Sequence, residues 1–224
     1  MITLNDRFPA QSYCHSRSRG LMVQKLFFFF LILVLQAAQA TAQSGGPAPE
    51  DLVKNTFEEA KAVVRKTPDP RELRRIAEQK LLPYFDFSTM TRLAVGPGWR
   101  SATPEQQQKL TDAFRSLLVN TYTAALNEAT SILDKTLEIK PTASKGNDRT
   151  VRTVVRGPGR PPVAIDYRMQ NAGNGWKVYD VVVEGVSLVT TYRGEFSEEV
   201  RKSGVDGLIR TLEQKNRSVA ARRS

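Results

Sequence analysis

The chain contains a single cysteine, Cys14, and a single histidine, His15, among 224 residues, and both stand ahead of an unbroken apolar run at 26–35 (LFFFFLILVL). Lys25 precedes that run, and Ala38-Gln39-Ala40 and Ala40-Thr41-Ala42 follow it. This is the charged, apolar, small-residue order of a secretory signal. A helix needs about 20 apolar residues to cross a bilayer, and this run is half that length. Residues 1–42 are therefore expected to be a signal peptide cleaved near Ala40 or Ala42, with an uncleaved anchor as the alternative. Met22 would open a conventional signal by itself (MVQKLFFFFLILVLQAAQA), which would make residues 1–21 a mis-called start.

A chain beginning at Gln43 then has neither cysteine nor histidine. That excludes a disulfide, a Cys- or His-based nucleophile system and an imidazole metal site. About 180 residues without a staple must be held by a core, and that length suits one domain. The expected layout is a single domain over 43–216 with a basic, flexible tail at 217–224 (RSVAARRS). A phosphate-cradling glycine loop is also missing, because Gly96-Pro97-Gly98 and Gly157-Pro158-Gly159 carry prolines inside them. There is no long basic run either. The formal charge of +10 includes four bases and one acid (Arg7, Arg17, Arg19, Lys25, Asp6) within the signal, so removing that +3 leaves +7. Scattered charge of this kind argues against nucleic acid and, in an exported protein, suits anionic membrane surfaces or acidic partner faces.

What is present begins with helical spacing. Val53, Phe57, Ala60 and Val64 predict a helix over 50–66, and Leu73, Ile76, Ala77 and Leu81 a second from Pro70 to about Leu82. Tyr84-Phe85-Asp86-Phe87 leads into a short helix with Met90, Leu93 and Ala94 inside. Thr103-Pro104-Glu105-Gln106 is a capping box that opens the longest helix. There Leu110, Ala113, Phe114, Leu117, Thr121, Tyr122 and Ala125 share one face, which Leu118 and Leu126 widen, and the helix is expected to lie across a sheet.

From Leu137 the period falls to two, predicting four strands: Leu137 and Ile139 up to Pro141, then Thr150 to Arg156, Val163 to Gln170 and Trp176 to Glu184. If Asn171–Gly175 is a hairpin loop, Gln170 faces Trp176, and Val163, Ile165 and Tyr167 face Val183, Val181 and Tyr179. Val155, Thr153 and Val151 then face Val163, Ile165 and Tyr167 from the other side. One sheet face becomes apolar. The opposite face sets Arg152 against Asp166, with Asp180 beside Asp166, and also holds Trp176, Val178 and Val182. Gly185 marks where the chain leaves the sheet, and Leu188, Tyr192 and Phe196 start a helix that resumes, after a break at Ser203-Gly204, as Val205, Leu208, Ile209 and Leu212.

Apolar side chains thus pass from sheet to helix around a concave space, which suits a greasy ligand or, equally by residue type, a fully packed core. Paired Asp166 and Asp180 could serve an isomerase or hydrolase as acid and base, but an adjacent Arg152 would favour ionised, solvated carboxylates. Asp86 reads as a helix cap rather than an acid.

A family resemblance follows from longer blocks: Leu82 to Phe87, Met90 to Ala94, Gly98-Trp99-Arg100, Ala102 to Gln106, Trp176 to Val181, Glu184 to Leu188, Tyr192-Arg193 and Gly207-Leu208-Ile209. In this order they resemble the MlaC, or toluene-tolerance, family of periplasmic phospholipid carriers over nearly the whole mature chain. The resemblance implies an α+β fold, with a twisted, mostly antiparallel four-stranded sheet wrapped by helices in a nuclear-transport-factor-like cone. It implies phospholipid as cargo, with no cofactor and no catalytic residue, and the headgroup left in solvent. It implies two partners: an outer-membrane lipoprotein–porin complex and an inner-membrane ABC transporter complex with an MCE-domain protein. A hopanoid-associated branch of lipid carriers shares the fold. On this reading the pocket candidates are Phe85, Met90, Leu93, Leu117, Tyr122, Leu188 and Tyr192 from the helices, and Val155, Ile165, Tyr167, Tyr179, Val181 and Val183 from the sheet.

Overall fold

The structure is a computed structural model that describes residues 46–67, 69–122, 129–142 and 146–221. The signal segment, Cys14, His15, Ala125, Leu126 and the last three residues lie outside them.

Proline and short polar caps set the helical part. Pro49 starts α1 (Pro49–Lys66), and Pro70 starts α2 (Pro70–Lys80), where the Asp69 carboxylate accepts from the Arg71 amide at 3.0 Å. A 3₁₀ turn, Leu82–Tyr84, holds Pro83 and delivers Phe85 and Asp86 in extended form. Asp86 caps α3 (Phe87–Val95), accepting from the Thr89 amide at 2.8 Å and from Gln170 Nε2 at 2.7 Å. Its carboxylate is therefore engaged in capping. After the one-turn α4 (Gly98–Ser101), Thr103 and Gln106 close the expected reciprocal box at 3.0 and 3.2 Å and open α5 (Pro104–Tyr122).

The fold is α+β. Five strands, β1 (Thr136–Lys140), β2 (Asp148–Gly157), β3 (Arg160–Asn171), β4 (Trp176–Val183) and β5 (Val186–Ser187), form an antiparallel sheet in sequence order. The fifth, of two residues, adds to the four expected. Between β2 and β3 the pairs Val151–Tyr167, Thr153–Ile165 and Val155–Val163 are those predicted. The turn is tighter than expected, because Gly157 pairs with Arg160 and β3 takes in Pro161 and Pro162. Prolines fit there because β4 ends opposite Ile165, leaving that part of β3 without a partner needing their missing N–H groups.

The β3–β4 register corrects the expectation. Asn171, not Gln170, faces Trp176, so the strands begin one residue out of step and Val178 faces Met169. A bulge then inserts Tyr179, after which Arg168 faces Asp180 and Tyr167 faces Val181. Two one-residue shifts make two, so Val181 and Val183 return to the apolar face, Trp176 and Val178 join it, and Tyr179 leaves it. Asp180 faces Arg168 rather than standing beside Asp166. Asp166 faces Val182, with Arg152 on its other side at 3.7 Å.

The apolar face is covered by α1, whose Leu52 and Val53 bury against Val151, Met169 and Val178. Lys61 Nζ donates to the Lys135 carbonyl at 2.9 Å and Arg149 pairs with Glu50 at 3.4 Å, pinning both ends of α1 to the sheet. The long helix α5 does not cross the sheet. It packs on α3 and on α6 (Leu188–Ala221), where Phe114 sits edge-on to Tyr192 and Phe196 at centroid distances of 5.0 and 5.1 Å. Gly204, at φ 69°, breaks α6 where a break was expected. Helix continues through 217–221, so most of the segment read as a flexible tail is ordered helix.

Candidate functional site

The passage from sheet to helix is a two-residue hairpin. Val183 pairs with Val186, and the intervening Glu184 and Gly185 have φ of 49° and 81°. Positive φ at both positions is the type I′ geometry that matches strand twist, and glycine reaches it without steric cost. Glu184, which lacks that freedom, is held by Ala164: its amide donates to the Ala164 carbonyl at 2.9 Å, and its carboxylate accepts from the Ala164 amide. Ser187 then caps α6, accepting from the Thr190 amide at 3.0 Å. Beneath it lies Asp180, 2% exposed, which accepts from Ser187 Oγ at 2.7 Å, Arg168 Nη1 at 3.1 Å and the Val189 amide at 3.1 Å. A buried carboxylate with three donors, one at a helix N-terminus, is a fixed structural anion. It faces away from any partner acid.

The buried apolar residues form two clusters. One joins α3, α5 and α6 around Met90, Phe114, Phe196 and Leu212, and the other is the sheet with α1. Phe85 packs against both. Beside the helical cluster, at the β4 edge of the sheet, opens a cavity of about 680 Å³. Its walls are α2 (Ala77, Glu78), the following turn (Leu81, Leu82), Phe85 and Phe87, Met90 of α3, and Leu118, Val119 and Tyr122 of α5. The β4–β5 hairpin (Val181, Val183, Val186) and the start of α6 (Leu188, Thr191, Tyr192) complete it. Glu78 is the one charged residue in this lining, and its carboxylate is engaged by Arg74 Nε at 2.9 Å. Burial pushes the Tyr122 and Tyr192 phenols above their ordinary range, so both stay neutral at physiological pH. The mouth is apolar as well: Leu81, Tyr122, Val183 and Val186 are among the large hydrophobic residues left exposed.

Of the residues singled out from sequence, Phe85, Met90, Tyr122, Val181, Val183, Leu188 and Tyr192 line this cavity. Leu117 and Leu93 belong instead to the helical cluster, and Tyr167 to the border of the sheet cluster under α1. Val155 and Ile165 lie on the sheet away from the cavity, and Tyr179, displaced by its bulge, donates its hydroxyl to Asp148 on the other side. The space is thus set at the β4 edge rather than over the middle of the sheet, because α1 already occupies the middle. Ala77 and Leu81 were legible as an apolar stripe but not as cavity wall. Val119 and Val186 carried no periodic signal, since one flanks the main helical face and the other sits in a turn.

Among the described residues no group of His, Cys, Asp and Glu could hold a metal ion, and no helix is long and apolar enough to cross a membrane. The arrangement offers an apolar volume with a lipophilic rim, whose titratable members are Glu78, paired with Arg74, and the neutral Tyr122 and Tyr192 phenols.

Comparison with known proteins agrees with this geometry. The chain is similar to the intermembrane phospholipid transport system binding protein MlaC of Haemophilus influenzae, 27% identical over 151 residues (65% of this chain, 69% of that one). It is also similar to the toluene tolerance protein ttg2D of Pseudomonas putida, 25% identical over 182 residues (78% and 83%). Among solved structures it resembles a phospholipid-binding protein from Ralstonia solanacearum in complex with a phospholipid, with a TM-score of 0.69 and 36% identity over 78% of this chain and 99% of that one. The family model for the MlaC protein matches residues 50–214. By that match, which spans most of its length, the chain belongs to the MlaC family.

Proposed function

We propose that this protein is a periplasmic carrier that holds the acyl chains of a phospholipid in the cavity between its β4 edge and its helices, within an intermembrane lipid transport system. The observation that carries the reading is this space of about 680 Å³, whose lining is apolar apart from Glu78, Thr191 and the two tyrosine hydroxyls. By the scale on which an apolar cavity of about 150 Å³ takes benzene, that space holds roughly 27 carbon atoms. This exceeds one ordinary acyl chain. Each methylene moved out of water contributes about 0.8 kcal/mol, so affinity needs no covalent step and the protein no catalytic group. The headgroup stays at the mouth, in solvent.

The apolar run at 26–35, with Lys25 before it and Ala38-Gln39-Ala40 after it, supports export by a signal over 1–42 and so the periplasmic location. Family membership supports the two partners: an outer-membrane lipoprotein–porin complex and an inner-membrane ABC transporter complex with an MCE-domain protein. Tight binding slows release, so a partner that opens the mouth would speed transfer. An isomerase or hydrolase built on Asp166 and Asp180 gains no support, because both carboxylates are engaged elsewhere by arginine.

The test is uptake. Lipid-free protein incubated with phosphatidylglycerol vesicles and re-isolated should carry phospholipid in its native mass spectrum. Val119→Trp, which fills the cavity from α5, should reduce that occupancy at least about tenfold, equivalent to two methylenes left unburied. Wild-type protein that acquires no lipid would overturn the proposal.

A further inference from the structure

A second, smaller void lies on the other side of α2. It measures about 130 Å³ and is lined by Ala60, Val63 and Val64 of α1 and by Leu73, Ile76 and Ala77 of α2. Ala77 and Leu81 line both spaces, so α2 is the partition between them. The partition is lightly built. Within α2 only Leu73 is fully buried, and the helix is tied to its neighbours by polar contacts, Lys80 to Glu59 of α1 at 2.5 Å and Arg74 to Asn120 of α5 at 3.2 Å. At Ala77 its inward wall is a single methyl group.

We propose that this void is a side pocket for the distal methylenes of a phospholipid acyl chain whose glycerol end lies in the main cavity, reached past Ala77 by a small outward displacement of α2. The inference rests on the lipid-binding reading above. Volume favours this occupant. Roughly 27 carbon atoms in the main cavity fall short of two long acyl chains, and 130 Å³ adds roughly 5 more on the same scale. The chemistry agrees, since most of the lining is aliphatic and its charged members, Glu59 and Lys80, are paired with each other and exposed. The thin shared wall at Ala77 and Leu81 singles out a chain already anchored next door over a separate small hydrophobic molecule.

Ala60 tests this, because it lines the side pocket from α1 and does not touch the main cavity. Wild type and Ala60→Phe are each exposed to vesicles holding equal parts of dimyristoyl- and distearoyl-phosphatidylglycerol, and the ratio of the two bound lipids is read by native mass spectrometry. Ala60→Phe should shift the ratio toward the shorter chains by at least about fourfold, the effect of one methylene returned to water. Ala60→Leu, a smaller filler, should give an intermediate shift, and it decides the matter if phenylalanine prevents folding. Unchanged ratios in the folded variants overturn the side pocket while leaving the main cavity standing. Wild type that binds neither lipid overturns the carrier reading and the side pocket with it.

Discussion

Tyr179 and Asp180 are adjacent on β4, and the bulge gives them opposite surroundings. Asp180 is buried with Arg168, Ser187 and the first amides of α6 around it. Asp180→Ala leaves the buried Val189 amide without an acceptor, which costs about 1–3 kcal/mol, while Arg168, 45% exposed, is left to solvent. Urea unfolding should show the unfolding free energy falling by that amount, as a lower midpoint with an unchanged slope. A catalytic aspartate would instead leave stability intact. Tyr179 faces solvent, and its hydroxyl donates to the Asp148 carboxylate at 2.9 Å. Burial first, and then the negative charge and hydrogen bond of Asp148, push its phenol up to about 12. A folded value above the unfolded value of about 10 makes its contribution complete below that pH and lost as pH rises through the folded value. Stability measured across that alkaline window should therefore fall less steeply in Tyr179→Phe than in wild type.

Helices and strands differed in how far their residues announced them. The boundaries of α1, α5 and the break in α6 were legible because proline, a capping box and glycine act locally, through the backbone of the residues that carry them. The β2–β3 register was legible for a related reason: an alternating strand tolerates no odd slip without exposing Val151. The β3–β4 register was missed although it left a mark: Val178 and Tyr179 stand side by side between Lys177 and Asp180, and this doubled apolar step falls where the bulge inserts Tyr179. The position of α5 was missed for a different cause. Length and amphipathicity say that a helix buries a face, not which neighbour it buries it against, and α1 had taken the sheet. What α5 does bury is decided by Phe114, 0% exposed and edge-on to both Tyr192 and Phe196. Phe114→Ala should cost about 3–5 kcal/mol in chemical denaturation, the range for deleting a buried aromatic ring. Because Tyr192 is at once a member of that stack and a wall of the cavity, the same variant should also weaken lipid retention. Half of the candidate site was therefore readable as composition, and the rest depended on which element lay over which.

At the scale of the molecule the chain holds two apolar clusters apart with few covalent or polar devices between them. There is no disulfide to do so in a chain starting at Gln43, whose sequence lacks cysteine. Phe85 touches both clusters, and the β4–β5 hairpin and the start of α6 link them through the backbone. A cavity of this size forgoes the burial that a packed core would provide. On the proposed reading bound acyl chains restore that burial, which couples stability to loading by mass action. Thermal unfolding of delipidated protein, with and without added phosphatidylglycerol, tests this most directly. At about a hundred times the dissociation constant, lipid should add about 2.7 kcal/mol and raise Tm by roughly 5–10 °C. Coincident melting curves at saturating lipid would contradict the claim that acyl chains complete the core.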